Sequence, residues 1–411
     1  MNTNDLKFQL DSDLDLVSQE MISKRTLKIS IQAPTGNLTD RPRLNLALVL
    51  DRSGSMSGDK LTHVKQAAVH VLNMLQEQDT IALVAYDDAI DLLAPSTPVT
   101  DSIRKQIKER ISRLEPGGST NLSGGWLAGC REAASAAREG TVNRTLLLTD
   151  GQANAGIQDL EELSQHAREL SRRGVTTSTF GVGEGFNEHL LEAMSNQGNG
   201  NFYYIDHPRS IPDLFMREFK ELAAITARDV EIDINFPADW YLQVPGGWRT
   251  QFSEGRLRIF VGNLFSNQTQ EIYIRMTIPV VNHLKNSFTL QANLSGKSEK
   301  DLLFEGQANL TYQSATQINL SSAHLKSEVI TGFAQVYLAE IAIEALKLER
   351  SGENQRAGFM LNQAIQEYIN FISPEETDKF KRMADRMIHG MDEMDRKMSH
   401  SNSYNQKRGK Q

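Results

Sequence analysis

The sequence predicts an α/β fold: a doubly wound parallel sheet covered by helices on both faces, accompanied by an antiparallel β-sandwich-like module and a C-terminal helical region. Three observations predict it. Between residues 42 and 225, short aliphatic runs alternate with amphipathic stretches of helical length. From about residue 229 the helical signal stops, and short segments of alternating polarity follow. After Ala323 the apolar residues return to a spacing of three and four.

Taken in order, residues 14–33 carry strand alternation, with Leu27, Ile29 and Ile31 on one face and Pro34 as the stop. The strand-then-helix grammar begins with ALVL before DKLTHVKQAAVHVLNML. It continues with IALVAY and a short IDLLAP, then DSIRKQIKERISRL and LSGGWLAGCREAASAA. Three more strands follow, each with a helix behind it: TLLLT, VTTSTFGVG and NFYYI. Buried parallel strands read as continuous aliphatic runs of this kind. Next come VEIDINF, LQVPGGW, RLRIFVGNL, QEIYIRMTIPV, FTLQANLSG and QANLTYQ, the segments of the β module. The N-terminal strands share their character, so the two ends are expected to pack together with the α/β domain inserted between them. A helical pair turning at Ser351-Gly352 follows, and Pro374 opens one further helix that carries Met383, Met387, Met391, Met394 and Met398. The expected segments are therefore 1–41 (N-terminal strands), 42–225 (α/β domain), 226–318 (β module), 319–398 (helices) and 399–411 (disordered tail).

The formal net charge of −8 argues against a nucleic-acid-binding surface over the whole protein. A single cysteine, Cys130, excludes an internal disulfide framework and fits a reducing compartment. The first residues are acidic and lack an apolar targeting core, and no run of about 18 apolar residues stands out. A cytoplasmic protein without a membrane or nucleic-acid partner is the expectation.

Function is carried by three loops. In doubly wound sheets, ligands bind outside the carboxyl ends of the strands, where the strand order reverses. Asp51 ends one strand in LNLALVLDRSGSMSGDK and is followed by Ser53 and Ser55; Asp150 ends another in RTLLLTDGQAN; EPGGSTNLSGG supplies Ser119, Thr120 and Asn121. If the strands of Asp51 and Asp150 are neighbours, the loops converge. Two carboxylates with several hydroxyls form a hard-oxygen donor set, suited to Mg²⁺, Mn²⁺ or Ca²⁺ rather than zinc. Two aspartates balance a divalent charge, and neutral hydroxyls leave the ion electrophilic toward an incoming carboxylate. Gly54, Gly117 and Gly118 are expected to let these turns approach the ion closely. Taken singly, DRSGS also suits a helix cap and DG a plain turn, but capping does not require three separated loops to match together.

The run DRSGS, the threonine of GGSTNL and the aspartate of LLLTDGQAN resemble the von Willebrand factor A (VWA) domain with its metal-ion-dependent adhesion site, DxSxS then T then D. Asp51, Ser53, Ser55, Thr120 and Asp150 match all five positions over a stretch of about residues 42–225. The flanking strands and helices resemble bacterial and cyanobacterial multi-domain members. The resemblance implies a Rossmann-like fold. It also implies a site in which the serines and threonine ligate the ion, the aspartates often act through water, and a partner's acidic residue completes the shell.

The expected function is thus non-catalytic, metal-dependent binding of another protein by an adaptor or scaffold, with an AAA+ ATPase as one partner class that the resemblance suggests. Two alternatives are metal-dependent self-assembly and a Mg²⁺-dependent phosphoryl-transfer enzyme using Asp51. Against the enzyme, Ser53 stands where haloacid-dehalogenase phosphatases place a second aspartate. GSMSGDKLT is not a phosphate-binding loop, because Asp59 stands where its lysine must follow glycine. GVGEGF reads as a strand end rather than a dinucleotide loop.

Overall fold

A computed structural model describes residues 6–35, 41–280, 287–298 and 302–409. The first five residues of the expected N-terminal strand region and the last two of the expected tail lie outside the described residues. The chain divides into two compact units. One is built from the chain up to Thr35, Thr226–Ser298 and the chain from Leu302 onward; the other is built from the intervening chain ending at Ile225.

The first unit begins with β1 (Lys7–Ser12), β2 (Leu16–Ser18) and β3 (Ser23–Gln32). On β3, Leu27, Ile29 and Ile31 are fully buried, as their alternation predicts.

The second unit runs β4 (Arg43–Asp51), α1 (Asp59–Met74), β5 (Thr80–Tyr86), β6 (Ile90–Pro98), α2 (Asp101–Ser112) and α3 (Leu122–Ser135). It continues through β7 (Thr141–Thr149), α4 (Leu160–Arg172), β8 (Val175–Val182), α5 (Glu188–Gln197), β9 (Phe202–Ile205) and α6 (Ile211–Ala223). Its strands lie in the order β6-β5-β4-β7-β8-β9. From β4 the chain builds outward through β5, then returns to lay β7 on the other flank of β4, so the order reverses between β4 and β7. β4 is buried from Leu44 to Asp51, both faces being covered. The sheet is parallel except at β6, which runs antiparallel to β5. The expected parallel sheet thus carries one antiparallel edge strand: only Asp87–Ala89 separate β5 from the IDLLAP strand, too few residues for a parallel crossover.

Helix α3 lies very close to the sheet. A Cβ on Gly129 would fall 2.2 Å from Val49 Cγ2, and one on Gly125 2.4 Å from the Tyr86 ring. Trp126 between them is fully buried and donates its indole N–H to Thr177 Oγ1 at 3.1 Å. These contacts set the height of the α3 N-terminus, next to Thr120, above the strand ends.

The first unit resumes with β10 (Ile225–Asn235), β11 (Tyr241–Gln243), β12 (Arg249–Ser253), β13 (Arg256–Phe265), β14 (Thr269–Ile278), β15 (Ser287–Ser298) and β16 (Leu303–Ala315). They form two sheets, ordered β1-β3-β14-β11 and β12-β13-β10-β15-β16-β2. Ile29 of β3 faces Ile272 of β14, and Val17 of β2 pairs in parallel with Ser314 of β16, so the N-terminal strands enter both sheets. One apolar core joins them, with Ile29, Ile31, Ile272 and Ile274 from one sheet and Ile232, Ile259, Leu290 and Leu294 from the other.

Helices α7 (Gln317–Ser321), α8 (Ser327–Arg350), α9 (Asn354–Tyr368), α10 (Pro374–His389) and α11 (Glu393–Lys407) complete the chain. Gly352, at φ 86°, turns α8 into α9. Ser373 accepts the N–H of Glu376 at 3.1 Å and caps α10, with Pro374 in its first turn. Two expectations are corrected here. The helix opened by Pro374 stops at Gly390, whose φ of 90° leaves the right-handed helical region, and α11 starts anew under an Asp392 cap. Consequently Met383, Met387 and Met391 join the helical core while Met394 and Met398 are exposed. The tail expected to be disordered continues α11 to Lys407. Tyr404 is buried there, and the Arg408 guanidinium lies 4.7 Å from the Trp248 ring, contacts that the polar composition of the tail conceals. Among the described residues α8 alone is long and apolar enough to cross a membrane by length and composition, and its Phe333, Ala334, Leu338 and Leu346 pack into the core shared with α9 and α10.

Gly129→Val forces a branched side chain into Val49 and is expected to cost about 1–3 kcal/mol through overpacking. A lowered denaturation midpoint in urea checks it; an unchanged midpoint would show that α3 can lift off the sheet freely.

Candidate metal centre at the carboxyl end of the α/β sheet

Asp51 is the last residue of β4, and Asp150 directly follows β7. Because β4 pairs with β7, both carboxylates sit at one end of the sheet at its point of reversal. Asp51 is fully buried. Its Oδ1 accepts the backbone N–H of Ser53 at 2.8 Å, and its Oδ2 accepts the Thr149 hydroxyl at 2.6 Å. Burial pushes the pKa of this carboxyl up to about 6; the Thr149 and Ser53 hydrogen bonds oppose the rise and the nearby Asp150 charge adds to it. The Tyr86 phenol, donating to the Leu148 carbonyl at 3.3 Å, is held well above its ordinary pKa by burial and stays neutral.

Past Asp51 the chain makes a single tight helical turn, Gly54–Met56, before α1. Ser53 Oγ and Ser55 Oγ lie 3.2 Å apart, and the Ser55 hydroxyl donates to Asp150 Oδ1 at 2.6 Å. The third loop is stitched to the first by reciprocal backbone bonds, Gly117 N–H to Arg52 C=O at 2.7 Å and Gly54 N–H to Gly118 C=O at 2.9 Å. Thr120, nearly buried, accepts on its carbonyl the N–H groups of Asn154 and Ala155, which ties the loop after Asp150 to it. A Cβ on Gly151 would lie 3.3 Å from Thr120 Oγ1 and 3.8 Å from Ser55 Oγ. The five residues singled out in the sequence thus lie on loops tied together at one end of the sheet, with Gly151 beside Thr120 and Ser55. Ser119 and Asn121 stand differently: Ser119 is exposed, and Asn121 Oδ1 caps α3 by accepting the N–H of Gly124 at 3.0 Å.

The glycines need reassigning. A Cβ on Gly117 would fall 1.7 Å from Asp87 Oδ2 and one on Gly118 2.0 Å from Asp88 Oδ1, so these two make room for neighbouring carboxylates. Gly151 holds the position beside the hydroxyls. GVGEGF packs tightly at the same end: a Cβ on Gly181 would enter the Phe186 ring, and one on Gly185 would meet the Asp150 carbonyl at 2.5 Å. Cys130 is buried, its thiol pushed up to about 12 by desolvation, which leaves it unreactive at neutral pH.

Sequence reasoning passed over three participants. Thr149 orients Asp51. Lys60, on the first turn of α1, brings its ammonium to 2.5 Å from Asp150 Oδ2. Arg52 pairs with Asp87 at 3.3 Å and Asp91 at 2.7 Å at the rim. Thr149 adjoins Asp150 in sequence and Lys60 falls one helical turn beyond the serines, so position relative to the motif was the available signal. The donor set, carboxylate and hydroxyl oxygens with no sulfur or imidazole among them, fits a hard divalent cation.

Residues 45–217 match the family model of the von Willebrand factor type A domain. This stretch is a VWA domain. YfbK of Escherichia coli is 33% identical over 216 residues, 52% of this chain but 37% of its own length. The protein sll0103 of Synechocystis is 26% identical over 367 residues, covering 86% of this chain and 85% of its own. A solved von Willebrand factor type A structure from Catenulispora acidiphila superposes with a TM-score of 0.77 at 17% identity, over 97% of this chain and 96% of that one, which shows a shared fold. VWA domains generally mediate protein–protein interactions and are not generally enzymes.

The raised pKa of Asp51 carries a pH signature. A carboxyl raised in the folded state stabilises it below the unfolded value near 4, and that stabilisation is lost as pH rises through about 6. Asp51→Asn removes the buried charge while keeping an acceptor for the Ser53 N–H. In EDTA its melting temperature is expected to exceed that of the wild type by a margin that opens between pH 4 and 7, with a ceiling of about 3 kcal/mol. A margin independent of pH would contradict the assignment.

Proposed function

We propose that the VWA domain binds a divalent cation, Mg²⁺ or Mn²⁺ in the first instance, and through it an acidic side chain of another protein, so that the chain works as a non-catalytic adaptor or scaffold. One observation supports this reading: the loops that carry Asp51, Ser53 and Ser55, Thr120, and Asp150 are distant in sequence yet tied to each other by hydrogen bonds at the switch point of the sheet. Ser53, Ser55 and Thr120 would hold the ion with neutral oxygens, and Asp51 and Asp150 would balance its charge. The bound cation supplies an electrophilic site for a partner's carboxylate. Thr149 keeps Asp51 oriented. An AAA+ ATPase carrying an exposed acidic residue is one partner class compatible with this chemistry.

Asp150→Ala, or Ser53→Ala with Ser55→Ala, is expected to abolish the rise in melting temperature that Mn²⁺ produces in the wild type, while the variants retain native circular dichroism. For the wild type the rise follows RT ln(1 + [L]/Kd), about 2.7 kcal/mol at a hundredfold excess over Kd. A capture from lysate with Mg²⁺ or EDTA then reads the partner: a protein held only by wild type with Mg²⁺ supports the adaptor, whereas Mg²⁺-dependent sedimentation of pure protein favours self-assembly. A wild type whose melting ignores Mn²⁺ throughout would sink the metal reading.

A further inference from the structure

We infer that Lys60 is a tethered cation seated on the metal-balancing carboxylate, which weakens binding of the ion alone and makes the ion and an acidic ligand bind cooperatively; the inference rests on the metal-binding reading above. The ammonium of Lys60 lies 2.5 Å from Asp150 Oδ2 and 3.4 Å from the Ser55 carbonyl. The other Asp150 oxygen is taken by the Ser55 hydroxyl, so both carboxylate oxygens are engaged within the chain. The Asp150 side chain is 0% exposed and that of Lys60 31% exposed, so the pair is a buried anion covered by a cation that reaches it from the surface. A Cβ on Gly183 would lie 3.9 Å from both Lys60 Cε and Nζ, so this glycine flanks the ammonium without crowding it.

The charge count gives the consequence. Asp51 and Asp150 contribute two negative charges and Lys60 one positive, leaving one net negative charge for an incoming divalent ion to meet. Like charges in contact repel strongly where water is partly excluded, so the ion must either displace the ammonium or tolerate it. After the ion is seated, the centre carries one net positive charge with a flexible ammonium at its edge, a combination that favours an anionic ligand. Arg52 cannot play this part, since Asp87 and Asp91 already engage it. By linkage, whatever draws the carboxylate to the ion-loaded centre also tightens the ion when the carboxylate is present. The fold does not depend on Lys60, because α1 is anchored by Leu61, Val64, Ala67, Ala68, Val71 and Leu72.

The test is calorimetric titration of Mn²⁺ into the full chain, wild type, Lys60→Met and Lys60→Arg, each with and without acetate as a carboxylate probe. Lys60→Met is expected to bind Mn²⁺ alone about tenfold more tightly than wild type, equivalent to about 1.4 kcal/mol. It should also lose most of the tightening that acetate produces in the wild type, and Lys60→Arg should behave as wild type. Unchanged or weaker Mn²⁺ binding by Lys60→Met, with the wild type binding normally, overturns the inference and leaves the metal reading intact. Failure of every protein to bind Mn²⁺ overturns both. Binding by Lys60→Met alone supports the inference in its strongest form. Melting in EDTA verifies that each variant is folded, and Lys60→Gln replaces Lys60→Met if that variant is not.

Discussion

Two aspartates stand at the ends of neighbouring parallel strands, and everything around the site answers the problem of keeping two carboxylates side by side with little water. Asp51 takes a backbone N–H and the Thr149 hydroxyl; Asp150 takes the Ser55 hydroxyl and the Lys60 ammonium. Such groups hold a charge cheaply only when they are fixed before the charge arrives. Fixation comes from the sheet. The pairing of β4 with β7 sets the spacing of the strand ends, the glycine-lined approach of α3 sets the height of the Thr120 loop, and the reciprocal bonds of Arg52, Gly54, Gly117 and Gly118 lock the loops to each other. A local motif therefore depends on contacts spread along the whole α/β unit.

The other unit is organised on a different principle. Its two sheets share one apolar core built from alternating residues, so each strand presents half of its side chains to solvent or to other elements. Arg275 on β14 shows how the helices attach: its guanidinium lies 5.1 to 5.6 Å from the ring centres of Phe333, Tyr337 and Tyr368 on α8 and α9. A cation held among three rings joins sheet to helices through directional contacts as well as apolar area. The N-terminal strands, which precede the VWA insertion in sequence, pair into both sheets, so chain segments remote in sequence share one core.

Legibility followed the range of the physics involved. Leu27, Ile29 and Ile31 were readable because a strand repeats every two residues whatever surrounds it, and Pro374 was readable because a helix start is local. β6 was harder: IDLLAP has strand composition, but its antiparallel direction is dictated by a connection of three residues to β5. β12 escaped notice because RTQFS is an exposed edge with one large apolar residue. The glycines of the site show the same divide. Their presence was visible, yet Gly117 and Gly118 clear space for Asp87 and Asp88, residues about thirty positions away that no local pattern links to them.

By itself the sequence determined the alternation of strands and helices, the inserted order of the segments and the five oxygen-bearing residues, because each depends on periodicity or on the chemistry of a short motif. Tertiary structure decided the rest. It made β4 and β7 neighbours, broke the last helix at Gly390, folded the polar tail into α11, and placed Thr149 and Lys60 on the two carboxylates. Those outcomes turn on which distant surfaces meet, and a contact between distant residues leaves no signature in either residue's own neighbourhood.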